Sequence, residues 1–253
     1  MVNLFFFFIF RHRVSSFNPF NPKSTFLYST PNNNLVTISL LGIHKPKSIN
    51  YILIYVGQYS LFAAKLGRKV ITVEPFYDNI LRIHKASYLE KTDANIILIK
   101  NAISNKRNEI KLLAQNSNNI GGQSLLENKD KEFKKDITNK YLVETILFND
   151  LLKYIPYKNE ITKEEYKKAI LKIDIEGFEP YAFEYANLLF DKLDFRVIFM
   201  EWGNLPKQTN EFQRIEKMID FLMNRNFKAY GNNYLLVKTN WKQWPWDIVW
   251  VKD

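Results

Sequence analysis

Short apolar runs alternate with helical patterns over residues 51–100. Ile52–Val56 and Lys69–Glu74 are apolar and rich in β-branched side chains, which is typical of buried strands. Between them, Gln58–Leu66 has the spacing of a helix, and Gly67 is placed to end it. A strand, a helix and a strand in this order predict a right-handed βαβ unit with parallel strands.

The same alternation continues towards the C terminus. The pattern predicts helices over Asp78–Glu90, Tyr181–Leu193 and Glu211–Met223. It also predicts strands over Ala94–Ile99, Lys111–Ala114, Tyr141–Leu147, Phe195–Met200 and Tyr234–Lys238. The aromatic tail from Trp241 onwards either completes the core or closes a pocket, and core completion is the interpretation we favour. Together these elements predict one alternating α/β domain over residues 51–253.

Residues 1–50 have a different character. The apolar run Leu4–Phe10 is too short for the roughly 20 residues that cross a bilayer. From Ser15 to Pro46 the chain is rich in Asn, Ser, Pro and Thr, which favours a loosely ordered lead-in. We therefore predict that the folded domain begins after this segment.

Composition and net charge exclude several kinds of site and partner. The 253 residues include no cysteine, which excludes disulfides, thiolate zinc sites and cysteine nucleophiles. The net charge of +10 would suit a nucleic acid or an anionic membrane. However, the lysines are spread along the chain, without the arginine clusters interleaved with aromatic residues that such binding favours. We predict no nucleic-acid partner and no firm membrane association.

The most informative stretch is Ala169–Glu179, an apolar run that leads into Asp174, Glu176 and Glu179 around Gly177. In an open α/β sheet, ligands bind in the crevice outside the carboxyl ends of the strands. Acids at such an end therefore predict a functional site. The alternative is that Asp174 and Glu176 only cap the helix that follows, where the helix dipole favours negative charge.

Other strands also end in polar residues: Glu74, Asn101 with Ser104, and Glu201. An acid after the second strand is well placed to accept hydrogen bonds from both ribose hydroxyls of a nucleoside. The first strand is followed by neither a G-x-G-x-x-G loop nor a P-loop lysine, which argues against a dinucleotide or a nucleoside triphosphate. A nucleoside without a pyrophosphate, such as S-adenosylmethionine, fits this pattern.

Four segments together resemble the FkbM family of S-adenosylmethionine-dependent methyltransferases: Tyr59–Pro75, Asn101–Ser104, Gly122–Leu125 and Leu171–Pro180. The resemblance implies a Rossmann-like class I methyltransferase fold, with about seven mostly parallel strands and helices on both faces. It also implies O-methylation of a hydroxyl on a small molecule or sugar, with S-adenosylmethionine as cofactor.

The resemblance implies that Asp174 and Glu176 face the methyl donor or the acceptor. Methyl transfer to a hydroxyl requires removal of its proton, and Asp174 is the first candidate for this base, with Glu176 second. The cofactor-binding residues that the resemblance implies are Gly57, Glu74, Asn101, Ala102, Ser104 and Asp174, with Glu74 at the ribose and Asn101 with its neighbours by the adenine. A divalent ion held by Asp174, Glu176 and Glu201 is an alternative, but carboxylates alone specify no metal, so we assign none.

The chain departs from the family at the glycine-rich cofactor loop, Asp-x-Gly-x-Asn-x-Gly. Only Gly57 is in register, and Tyr51, Leu53 and Tyr55 stand where the acid, the first glycine and the asparagine would be. Bulky residues there keep the backbone away from a ligand. Two explanations are open: an inactive homologue, or a chain truncated or misjoined near residue 50. The alternative function is therefore a binding or scaffold protein on the same fold.

Overall fold

The computed structural model describes residues 25–29, 35–39, 49–54, 58–115, 122–126, 133–155, 167–232 and 234–253. The chain divides into two compact units, residues 1–47 and 48–253. In the first unit, β1 (Thr25–Ser29) pairs antiparallel with β2 (Leu35–Ser39). The loosely ordered lead-in over residues 1–50 stays a prediction. All elements described below belong to the second unit.

The second unit begins with the predicted alternation of strands and helices. Its elements are β3 (Ile49–Ile54), α1 (Gln58–Lys65), β4 (Val70–Val73), α2 (Tyr77–Leu89) and β5 (Ile96–Ile99). Each lies within a few residues of its predicted position. Gly67 follows α1 with a φ of 72°, a left-handed conformation that glycine adopts without strain, so the helix ends where the sequence predicts.

Three short strands form a separate small sheet in the order β6-β8-β7. They are β6 (Ala102–Ile103), β7 (Ile110–Leu112) and β8 (Leu142–Ile146). The strands β7 and β8 correspond to predicted strands, whereas β6 is too short to leave a periodic signal. This sheet follows β5 directly, so it begins at the carboxyl edge of the main sheet.

The chain then forms β9 (Lys168–Ile173), α3 (Glu179–Phe183), α4 (Asn187–Lys192) and β10 (Asp194–Glu201). The prediction of one helix over Tyr181–Leu193 is wrong, because Asn149 interrupts it. The Asn149 N–H donates to the Tyr185 carbonyl, and the Leu189 N–H donates to Asn149 Oδ1. In a continuous helix, the Leu189 N–H and the Tyr185 carbonyl would bond to each other.

The C-terminal part contains α5 (Phe212–Met223), β11 (Phe227–Gly231), β12 (Tyr234–Leu235) and β13 (Asp247–Lys252). The strand β12 is shorter than predicted, and a 3₁₀ turn occupies Lys238–Gln243. The alternating burial of β11 matches an alternation of apolar and polar residues in the sequence, but we did not predict a strand there.

The main sheet has eight strands in the order β12-β11-β13-β10-β9-β3-β4-β5. The five strands from β10 to β5 are parallel, and β13 is antiparallel to β10. This confirms the Rossmann-like α/β class, with one strand more than expected. The chain runs from β3 outwards to β5 and then returns to place β9 on the other side of β3. The strand order therefore reverses between β3 and β9, where open α/β sheets bind ligands.

The core lies around β9 and the aromatic tail. Ala169, Leu171 and Ile173 of β9 are fully buried. The tryptophans at 202, 241, 244 and 250 are buried and contact one another. Trp246 is different, with 51% of its surface exposed. Within the described part of the chain, none of the helices is both long and apolar enough to cross a membrane.

Candidate functional site

The loop after β9 turns sharply at Glu176 and Gly177. Glu176 has a φ of 55° and Gly177 a φ of 97°, both in the region that favours glycine. The Gly177 carbonyl accepts a hydrogen bond of 3.0 Å from Gln208 Nε2. A Cβ at position 177 would lie 2.2 Å from that nitrogen. The conformation therefore favours glycine, and a larger residue would also displace the end of the Gln208 side chain. The turn keeps Glu176 near the end of β9.

Strand register brings several acids to one row at the edge of the sheet. Ile173 pairs with Met200 across β9 and β10, so Asp174 and Glu201 are the next residues of two adjacent parallel strands. Glu201 in turn pairs with Asp247 of β13. Residues at one level of neighbouring strands lie about 5 Å apart and point to the same face. The register alone therefore places Asp174 between β3 and Glu201.

Three carboxylates meet at this row. Asp174, Glu176 and Glu201, which we call the acid cluster, each offer an oxygen within 4.8 Å of the others. All three are partly buried. Asn204 Nδ2 bridges two of them, donating to Glu176 Oε2 at 3.2 Å and to Glu201 Oε2 at 3.3 Å. Trp246 Nε1 donates to Glu201 Oε1 at 2.8 Å.

The electrostatics of the acid cluster are dominated by burial and by like charge. Burial raises the pKa of Glu201 well above its usual range, and the charges of Asp174, Glu176 and Glu179 raise it further. Lys172 Nζ lies 3.3 Å from Asp174 Oδ2, so one positive charge adjoins the acid cluster.

Glu179 lies beside the acid cluster and is fully buried. Its Oε1 accepts a hydrogen bond of 2.8 Å from the Ile175 N–H, between the two loop acids. Its Oε2 is also buried and has no hydrogen-bond partner among the described residues. Burial raises the pKa of Glu179 to about 7, and the negative charges of Asp174 and Glu176 add to the shift. Glu179 thus contributes a further carboxyl group that faces the same acidic loop.

Glu74 is an isolated acid at the end of β4. Only 4% of its surface is exposed, and its Oε1 accepts a hydrogen bond of 2.8 Å from the Phe76 N–H. Burial raises the pKa of Glu74 to about 7, although hydrogen bonds from the Phe76 backbone and the Asn79 side chain partly oppose the shift. No like-charged neighbour contributes to this shift.

The register relates Glu74 to the acid cluster. Leu53 of β3 pairs with Thr72 on one side and with Lys172 on the other. Glu74 and Asp174, each two residues further on, therefore leave their strands at the same level and on the same face. Two strand spacings separate them, which is roughly 10 Å. The two acids thus flank the carboxyl end of β3, beside the point where the strand order reverses.

The remaining predicted cofactor residues lie where β5 leads into the small sheet. Asn101 Nδ2 donates to the Glu144 carbonyl at 2.9 Å. Ala102 and Ser104 are buried, and the Ser104 N–H donates to the Ile146 carbonyl. These contacts fix the β5–β6 connection, and contact with an adenine stays a prediction. Gly57 lies outside the described residues.

Sequence reasoning missed two polar groups of the site. Asn204, which bridges two acids, follows a strand end by three residues, a position where a polar side chain could have been proposed. The sequence did not distinguish Trp246 from the other tryptophans of the tail, most of which are buried. Gly203 leaves room for the Trp246 ring, since a Cβ at position 203 would lie 2.2 Å from it.

Comparison with protein families gives one match. The model of the methyltransferase FkbM domain matches residues 44–233, about three-quarters of the chain. The chain belongs to the FkbM methyltransferase domain family. This confirms the resemblance carried by Leu171–Pro180 and the other quoted segments. No curated protein matches the chain.

Solved methyltransferase structures resemble this FkbM domain only distantly. The O-methyltransferase TomG from Streptomyces achromogenes, in complex with SAM, is 9% identical with a TM-score of 0.41, and the match covers 81% of this chain and 73% of that chain. An O-methyltransferase from Bacillus cereus in complex with SAH is 12% identical with a TM-score of 0.40, over 81% of this chain and 74% of that one. A putative rRNA methylase from Clostridium thermocellum is 12% identical with a TM-score of 0.40, over 81% of this chain and 89% of that one. At these scores, none of them bears on what this domain binds or methylates.

Proposed function

We propose that this protein is a methyltransferase that uses S-adenosylmethionine to methylate a hydroxyl group on a small molecule or sugar. The observation that carries the proposal is the placement of Glu74 and the acid cluster at one level of the sheet, on either side of the carboxyl end of β3. A nucleoside and an acceptor can then lie side by side in the crevice where open α/β sheets bind ligands.

Glu74 suits the ribose. A carboxylate can accept hydrogen bonds from both ribose hydroxyls, and Glu74 is held in place by the Phe76 N–H. Because Glu74 is buried and has no basic partner among the causes of its pKa shift, two hydroxyl donors would stabilise its charged form. Asn101, Ala102 and Ser104 would line the adenine side, as the first residues beyond β5.

The acid cluster suits the acceptor. Methyl transfer is an in-line displacement in which the acceptor oxygen bonds to the methyl carbon, the carbon–sulfur bond breaks, and the sulfonium becomes a neutral thioether. The hydroxyl proton must leave, and Asp174 is our candidate base, with Glu176 second. Asp174 lies beside Lys172 and next to Glu201, which can hold a proton. The protein supplies alignment and proton removal, and the cofactor supplies the reactive methyl group.

One observation favours the alternative of a binding protein without cofactor. Ile49–Ile54 is a strand paired on both sides, with β4 and with β9. Tyr51 and Leu53 therefore lie within a paired strand at positions where the family has loop residues that approach the cofactor.

Titration calorimetry with S-adenosylmethionine tests the proposal. We expect micromolar binding to the wild type and at least about 10-fold weaker binding to Glu74→Gln, since losing a charge-assisted pair typically costs more than 1.4 kcal/mol. Asp191→Asn, which removes an exposed acid paired with Arg225, is the matched control and should bind like the wild type. Absence of heat at millimolar cofactor would overturn the proposal and favour the binding protein.

A further inference from the structure

We propose that the acid cluster of Asp174, Glu176 and Glu201 binds a divalent cation that prefers oxygen ligands, of the class of Mg²⁺, Mn²⁺ or Ca²⁺. The site does not depend on methyl transfer, since the same three side chains would hold the ion in a chain that binds no cofactor.

The spacing of the donors fits one ion. The three carboxylates offer oxygens that all lie within 4.8 Å of one another. Oxygen ligands lie roughly 2.0–2.6 Å from Mg²⁺ or Ca²⁺, so two ligands of one ion can be at most about 4–5 Å apart. The donor spacing therefore meets the distance requirement for one ion. The register of β9 and β10 and the turn at Gly177 hold the donors in this arrangement.

Glu179 is the second observation that points to a cation. The buried Oε2 has no partner among the described residues, while Oε1 is fixed by the Ile175 N–H between Asp174 and Glu176. An unpartnered, fully buried carboxyl oxygen is costly to the fold. A cation in the acid cluster would offset this cost, by direct attraction or through one of the waters that such ions retain. Nothing else that the structure describes near Glu179 supplies that partner.

Neighbouring donors orient the proposed ligands. Asn204 Nδ2 donates to both Glu176 and Glu201, and Trp246 Nε1 donates to the other oxygen of Glu201. Ligating carboxylates are commonly held by such hydrogen bonds, and each oxygen keeps a second lone pair for an ion. In the enzyme, an ion held by Asp174, Glu176 and Glu201 would supply a positive charge that lowers the pKa of an acceptor hydroxyl, and a ligand carboxylate could still accept its proton through the oxygen that does not bind the ion.

Trp246 makes the ion directly detectable. Tb³⁺ takes the same oxygen ligands as Ca²⁺ and emits when a nearby indole is excited. Because Trp246 Nε1 is 2.8 Å from Glu201 Oε1, Tb³⁺ in the acid cluster lies close to this ring. We expect tryptophan-sensitised Tb³⁺ emission that saturates at one ion per chain and is reversed by Ca²⁺ or Mn²⁺. The change Trp246→Phe should reduce the emission without removing the ion.

Substitutions in the acid cluster distinguish a specific cation site from non-specific attraction of cations to a negatively charged surface. Glu176→Gln and Glu201→Gln should each weaken Tb³⁺ binding at least about 10-fold, since each removes one of three charged ligands. Asp191→Asn, at an exposed acid of α4 that pairs with Arg225, should leave binding unchanged. Thermal unfolding provides the second measurement: Mg²⁺, Mn²⁺ or Ca²⁺ should raise the Tm of the wild type and of Trp246→Phe, but not that of Glu201→Gln.

The amide variants are expected to fold. In a chelator, Glu201→Gln should melt close to the wild type, since glutamine has nearly the same shape and its amide oxygen can still accept one of the hydrogen bonds from Asn204 and Trp246. The proposal is overturned if the wild type shows neither saturable Tb³⁺ emission nor a Tm rise in millimolar divalent ion, or if both amide variants bind like the wild type. Titration of S-adenosylmethionine in chelator reports on the cofactor site separately, so failure of either site is recognised independently of the other.

Discussion

Glu74 and the acid cluster lie at the same edge of the same sheet, yet their carboxyl groups are perturbed for different reasons. Burial raises the pKa of Glu74, and only hydrogen-bond donors oppose the shift. At Glu201, burial acts together with the charges of three acidic neighbours. A raised pKa therefore does not define one kind of site. The cause of the shift determines which ligand would stabilise the charged carboxylate.

The two causes favour different partners. A lone buried carboxylate such as Glu74 is relieved by neutral hydroxyl donors, as a ribose provides. Crowded carboxylates are relieved by a proton or by a cation, which hydroxyl donors cannot replace. The surroundings of Glu74 thus suit a neutral polyol. The acid cluster, about two strands away, suits a positive charge. The experiments below test whether these two regions behave as differently as their surroundings indicate.

The largest expected effect separates binding from chemistry. Asp174→Asn should lower the rate constant of methyl transfer by about 10²- to 10⁴-fold, the usual contribution of a general base. Its affinity for S-adenosylmethionine should fall less than that of Glu74→Gln, since we assign Asp174 mainly to the acceptor and Glu74 to the ribose. Single-turnover rates and calorimetry on both variants measure this. If both substitutions change the same parameter to the same extent, the division between the two regions is wrong.

The next effect is on stability and follows from Glu74 alone. Its pKa is about 7 in the folded chain and 4.5 when unperturbed, so the folded state favours the protonated form. The stability it contributes is full below pH 4.5 and is lost as pH rises through 7, because ionisation is easier in the unfolded chain. By about pH 8 this loss amounts to about 3 kcal/mol.

Glu74→Gln cannot ionise and should escape that loss. We expect the difference in unfolding free energy between Glu74→Gln and the wild type to move by about 3 kcal/mol in favour of the variant between acidic and weakly alkaline pH. Urea unfolding at several pH values measures the difference, and Glu179 and Glu201 cancel because both chains contain them. A constant difference would show that the pKa of Glu74 is not raised in the folded protein.

The smallest effect concerns the turn that presents the acid cluster. Gly177→Ala should destabilise the chain by about 1–3 kcal/mol, because φ is 97° and the new Cβ would meet Gln208 at 2.2 Å. Gly67→Ala is the matched control, since φ is 72° but no atom lies within 4 Å of the added Cβ. The cost of Gly177→Ala should exceed that of Gly67→Ala in denaturant unfolding. Equal costs would mean that the contact with Gln208 does not hold the turn.

Several elements followed from local pattern, and others depended on distant residues. The segments from β4 to β5 lie close to their predicted bounds, since a buried strand and a covering helix each leave a periodic signal. The predicted helix over Tyr181–Leu193 failed because Asn149, which is remote in sequence, replaces a bond that helix periodicity assumes. The local pattern of apolar residues contains no information about a hydrogen bond from such a distant residue.

The sequence by itself determined the family, the α/β class and which acids stand at strand ends, because these depend on residue type and short-range spacing. Only the tertiary structure decided that Asp174, Glu176 and Glu201 share one point in space, since this requires the register of β9 against β10 and the turn at Gly177. Only the tertiary structure, too, brought Asn204 and Trp246 to those acids and left Glu179 Oε2 without a partner. The physical reason is that hydrogen bonds and charge interactions depend on distances between residues far apart in the chain, and folding sets those distances.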